Sequence, residues 1–153
     1  MLETWLDFQR ATLALKCEGL SPSQLATRSV PPSTLSLAGL VRHMAEVERY
    51  WFQRCLDAAD KPRLYCTNAE PDLDFDGAEA VSASADRATW EKECAASRTV
   101  AAAVESLDVV AKRRWRESEV SLRWIYVHMI EEYARHNGHA DLLRQTIDGS
   151  VGV

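Results

Sequence analysis

Four long segments of this chain repeat their apolar residues at three- and four-residue steps, and none alternates as a half-buried strand does. That periodicity restricts the fold class to all-α. In residues 2–18, Leu2, Leu6 and Leu13 fall within about 40° of one another on a wheel of 100° per residue, and Gly19 ends the segment. The paired prolines Pro31 and Pro32 then forbid a continuous helix, while Ser33, Thr34 and Ser36 offer N-caps for a second helix over 37–59. Its stripe is Leu37, Leu40, Met44, Val47, Trp51 and Cys55. Trp90, Cys94, Ala101 and Val104 mark a third helix over 87–107, and a fourth runs over 121–147 until Asp148 and Gly149 close it.

The connection over 61–85 is longer than a direct helix-to-helix turn requires. A crossover accounts for it, because parallel neighbouring helices oblige the chain to return along the bundle, about 30 Å for a helix of about 20 residues. The expected architecture is a four-helix bundle in one domain over 1–153, with its long crossover between the second and third helices.

Composition narrows the function. A chain of 153 residues, 46% of them hydrophobic, buries roughly two-thirds of its unfolded surface, so its core needs neither disulfides nor a structural metal. Any metal is then functional. The net charge is -5, residues 67–79 hold five acids and no base, and no basic stripe exists to neutralise phosphates, which argues against nucleic acid. No apolar run approaches about 18 residues, and the start MLETWLDFQR is acidic and amphipathic, unlike a signal peptide. No membrane role and a cytoplasmic location are expected. Cys17, Cys55, Cys66 and Cys94 form no C-x-x-C pair, and Cys66, in an apparent loop, is the one candidate reactive thiol.

Three of the four histidines, His128, His136 and His139, lie on the fourth helix with Glu131 and Glu132. With Leu122 at zero, the apolar stripe of Leu122, Ile125, Met129, Tyr133 and Leu143 occupies about 300° to 20°. His136 falls at about 320° and Glu132 at about 280°, both at or beside the core, while Glu131, at about 180°, faces solvent. His139 and His128 follow at about 260° and 240°. His43 sits at the edge of the second helix's buried stripe and reaches the same interior. His43, Glu132 and His136 thus make a facial N,N,O set suited to zinc or another divalent ion. The competing account is an ordinary ion pair between Glu132 and Arg135 or Arg123.

Other motifs fail. DLDFDG, residues 72–77, opens like a calcium-binding loop, but its twelfth position is Ala83 where a glutamate is needed, which leaves a solvated acidic crossover. H-E-x-x-H and G-x-S-x-G are both absent. The five tryptophans, roughly one per helix, suit core and interface packing.

The segments LVRHMAEVERYWF, WEKECAASR and SLRWIYVHMIEEYARHNGHADLLRQTIDG together resemble the DinB-like superfamily, in its actinobacterial mini-circle-protein branch. The resemblance implies a four-helix bundle with a crossover between helices 2 and 3, and a divalent metal within it. Many members use one histidine on helix 2 and an H-x-x-x-H pair before a glycine on helix 4; the matching positions are His43, Glu132 and His136. Glutamate replaces histidine at Glu132, as it does in mycothiol-dependent maleylpyruvate isomerase. That leaves the metal's identity open: zinc first, with nickel, iron or manganese as alternatives.

Characterised relatives use a low-molecular-weight thiol, mycothiol or bacillithiol, as S-transferases or isomerases. The resemblance therefore implies a thiol S-transferase of small electrophiles, with His128 and His139 as catalytic residues or orienters of the ligands. The alternatives are a non-catalytic stress or interaction protein and a thiol-dependent isomerase. The isomerase relative carries a further C-terminal domain, which weighs against that reading. Family habit and the surplus of tryptophans point to a homodimer.

Overall fold

A computed structural model describes residues 1–152 of the chain. It is all-α, as the periodicity requires: α1 (Leu2–Cys17), α2 (Pro22–Leu25), α3 (Leu37–Glu48), a π-helical continuation (Arg49–Leu56), α4 (Leu73–Asp76), α5 (Ala83–Ala102) and α6 (Leu122–Asp148). Among the described residues there is no strand, only two isolated bridges, Val110 with Ser121 and Trp115 with Ser118. No described helix is long and apolar enough to cross a membrane.

Local signals set the helix ends. Ser36 caps α3 by accepting from the Gly39 amide at 3.1 Å, and Ser121 caps α6 through the Trp124 amide at 3.2 Å. Gly149 closes α6 at φ 81°, a left-handed conformation that glycine takes without a Cβ clash. The expected third helix starts earlier and stops earlier than its stripe suggested, so Val104 lies beyond its end. The expected second helix changes winding at Arg49, where the turn widens until the Asp57 amide donates to the Phe52 carbonyl, five residues back.

Side-chain pairs give the directions of the helices. Arg42 meets Asp86 and Arg49 meets Glu93, so α3 and α5 run parallel, as the crossover requires. His43 meets His136 and Trp51 meets His128, so α3 and α6 run antiparallel. Gln9 meets Asn137 and Lys16 meets Asp141, which sets α1 parallel to α6. Leu6, Leu13, Leu40, Met44, Ile125, Met129 and Tyr133 are fully buried between these helices. Each aliphatic side chain so buried contributes roughly 1.5 to 3 kcal/mol of transfer free energy.

One polar group crosses that core. Glu48, fully buried, accepts both Arg10 Nε and Nη2 at 2.7 Å and the Tyr133 hydroxyl at 2.8 Å. Tyr133 accepts in turn from the Trp90 indole at 2.8 Å. Four helices therefore share one hydrogen-bonded network, and the charge is stable there because both members are paired.

Candidate metal centre

Three donors converge where α3 faces α6. One ligand atom each from His43, Glu132 and His136 lies within 4.8 Å of the others. His136 Nε2 stands 3.6 Å from Glu132 Oε2, and His43 Nε2 stands 4.0 Å from the same oxygen. The i to i+4 spacing puts Glu132 and His136 on successive turns of one face, and the antiparallel register brings His43 opposite them.

His43 is held from behind. Its Nδ1 lies 2.7 Å from Asp74 Oδ2. An ionised carboxylate only accepts, so Nδ1 carries the proton and Nε2 is the nitrogen aimed at Glu132. Phe75 stacks on the imidazole at 4.4 Å and 23°. This approach depends on Gly39, one turn before His43, because a Cβ there would stand 3.3 Å from the Phe75 backbone. Arg42 ties α4 down by donating Nε to the Asp74 carbonyl at 2.9 Å and Nη2 to that of Leu73 at 3.1 Å.

The acidic crossover is therefore not simply solvated, as its composition suggested. Asp74 is buried and built into the centre. Its only sequence signal was the pair Leu73 and Phe75, two apolar residues interrupting the run of acids and marking that stretch for burial.

The neighbouring histidines adjoin the trio without joining it. His139 Nδ1 lies 3.4 Å from His136 Nδ1, on the far side of that ring from Glu132. His128, one turn before Glu132, places Nε2 4.0 Å from Glu132 Oε1. Its ring stacks on Trp124 at 4.8 Å and 14° and meets Trp51 edge-on at 4.7 Å. Glu131 is exposed, as its wheel position requires. The expected ion pair also forms: Arg135 Nη1 donates to Glu132 Oε1 at 3.1 Å, whereas Arg123 pairs with Asp108. The two accounts of Glu132 coexist, since Oε1 serves Arg135 and Oε2 faces both imidazoles.

The charges respond accordingly. The interaction with His43, against the cost of burial, holds Glu132 at about 2. Burial, reinforced by the charge of His43, pulls His136 down to about 4. Burial alone would lower His43, but Asp74 and Glu132 at its two nitrogens hold it above the ordinary histidine value. His128 is lowered, chiefly by burial. Cys66 is no reactive thiolate: it is buried, and burial pushes it up to about 11.

Two imidazole nitrogens and a carboxylate oxygen, with one imidazole fixed by a second carboxylate, fit the donor chemistry of a divalent ion with open coordination positions. The sequence model of the mycothiol-S-transferase family matches residues 1–149. The chain belongs to that family. The match includes α3, α4 and α6, the three elements that build the centre in this mycothiol-S-transferase family member, and it agrees with the DinB-like resemblance of their motifs. No curated protein matches the chain.

Proposed function

We propose that this chain is a divalent-metal-dependent transferase that joins the sulfur of a low-molecular-weight thiol, mycothiol first, to a small electrophile. The observation that supports it is the convergence of His43, Glu132 and His136, with Asp74 behind His43, in a chain matched by the mycothiol-S-transferase family. A divalent ion held there, zinc or otherwise nickel, iron or manganese, favours a thiolate at neutral pH and so supplies the nucleophile.

The remaining work falls to the chain's own residues. Asp74 fixes the tautomer and direction of His43, and His139, with its Nδ1 3.4 Å from His136 Nδ1, orients that ring from its outer side. His128, held by Trp124 and Trp51 one turn from Glu132, takes the proton that leaves the thiol. With a substitution electrophile, a C–S bond forms while the leaving group departs with its electron pair.

A homodimer and a cytoplasmic location belong to the same proposal. Trp5 and Phe8, 55% and 51% exposed on α1, offer apolar surface to a second copy. The four cysteines, all free, suit a reducing compartment. Light scattering tests the assembly and should give twice the 17.2 kDa chain mass.

The activity is tested by loading purified protein with a divalent ion and following conjugation of mycothiol to a chlorodinitrobenzene. The expected result is an acceleration that chelation abolishes. An unchanged rate with mycothiol, bacillithiol and other cellular thiols, on protein that holds metal, overturns the transferase.

A further inference from the structure

Beside the centre, on the His43 and Asp74 side, a cavity of about 230 Å³ is lined by residues of α3, its π-helical continuation and the crossover, among them Glu46, Tyr50, Arg54 and Arg63. Its charges are unevenly satisfied. Asp74 is taken up by His43 and the Phe75 amide, and Glu46 accepts the Leu64 and Tyr65 amides at 2.7 and 3.0 Å. Arg54 and the exposed Arg63 have no carboxylate partner among the described residues; the Arg54 guanidinium lies over the Tyr50 ring at 5.9 Å, and its buried Nε has no hydrogen-bond partner there. In a chain of net charge -5, the cavity next to the candidate centre thus carries two guanidinium groups that no carboxylate pairs.

The geometry points to a subsite for a substrate carboxylate between Arg54 and Arg63. A guanidinium presents a planar fork of donors that matches a carboxylate edge on, and the desolvated Arg54 Nε gains most from such a partner. The amides of Leu64 and Tyr65, beside the cavity, are already committed to Glu46 and so are not free to cradle a phosphate. The volume admits a short carboxylate-bearing arm, with the reacting end directed toward His43. The proposal deepens the transferase reading and rests on it: with mycothiol, whose cysteine carboxyl is an amide, the electrophile carries the carboxylate, and with a thiol such as bacillithiol that bears carboxylates the thiol can carry it.

The test is binding of unreacting probes to metal-free protein by calorimetry, so that it is read without turnover. One pair is N-acetylcysteine against its primary amide; the other is dinitrobenzoate against dinitrobenzene. The carboxylate should bind about tenfold tighter in at least one pair at low ionic strength, with the preference shrinking as salt is added. The pair that discriminates names the reactant that brings the carboxylate. Arg63→Met, on an exposed side chain that leaves the fold alone, should remove most of the preference, Arg54→Met should do so too, and Arg63→Lys should keep part of it. Equal binding within both pairs overturns the subsite, as does a preference that survives Arg63→Met and Arg54→Met together. Inorganic phosphate binding more tightly than either carboxylate also overturns it. Absent catalysis would sink the transferase while leaving this binding result standing.

Discussion

Asp74 and His43, 31 residues apart, are joined by a 2.7 Å hydrogen bond that makes the crossover part of the candidate centre. Two other contacts hold the same geometry, the Phe75 ring over His43 and the Arg42 fork beneath the α4 carbonyls. Asp74→Ala should therefore weaken divalent-ion affinity about 10- to 100-fold, the usual effect of losing a carboxylate behind a ligating histidine. Asp74→Asn, which can still accept from Nδ1, should cost less. Chelator competition measures both, and wild-type affinity in Asp74→Ala would count against the role given to Asp74.

The converging trio and its neighbours should separate by substitution. His43→Ala, Glu132→Ala and His136→Ala should each lose most bound ion, and His139→Ala, one imidazole further out, should lose less. Glu132→His should retain metal, because imidazole suits the same ions and restores the residue common in related bundles. Equal losses across all four alanine variants refute the ranking.

The four bundle helices and the inward trio were legible because each follows from periodicity, and the parallel pair because the 61–85 connection is long enough to return along the bundle. A stripe at three- and four-residue steps must face the core, and Glu132 and His136 sit at or beside that stripe. Asp74 was not legible in this way. Its position depends on a long-range contact between α4 and Gly39, and the apolar Leu73 and Phe75 mark the stretch for burial without giving any of its acids a partner. Glu48 was missed for a related reason: a carboxylate in a helix counts as polar until its partners, Arg10 and Tyr133 on two other helices, are seen to enclose it. The π-helical turns after Glu48 likewise have no signature in the stripe, which passes through Trp51 and Cys55 unbroken.

Stability should respond sharply at Glu48. Glu48→Ala leaves Nε and Nη2 of the buried Arg10 and the Tyr133 hydroxyl without their acceptor, with only Nη1 still paired to Asp7, a loss of about 3 to 5 kcal/mol. Replacing both charges, Arg10→Met with Glu48→Leu, should recover most of that loss, because no uncompensated charge remains. Urea unfolding of the two variants decides it; a double variant less stable than Glu48→Ala alone contradicts this account.

Acid should act through Glu93. Burial alone would raise its pKa, but Arg49, donating at 2.7 and 3.1 Å, and Gln53, at 2.6 Å, hold it below the ordinary value of 4.5. A depressed carboxylate contributes its stability above the unfolded value and loses it as pH falls through the folded value. The stability gap between wild type and Glu93→Gln should thus be constant above about pH 6 and shrink below about pH 4.5, by at most about 1.4 kcal/mol per pH unit. A gap that widens on acidification reverses the sign and rejects the assignment.

His43, Glu132 and His136 are proposed to hold a functional divalent ion. Elemental analysis of protein purified without added metal or a histidine tag, set beside the His43→Ala and His136→Ala variants, tests it most directly. Wild-type protein should carry close to one divalent ion per chain, and either variant a small fraction of that. Metal-free wild-type protein that takes up no ion on titration, or variants that bind as much as wild type, would contradict it.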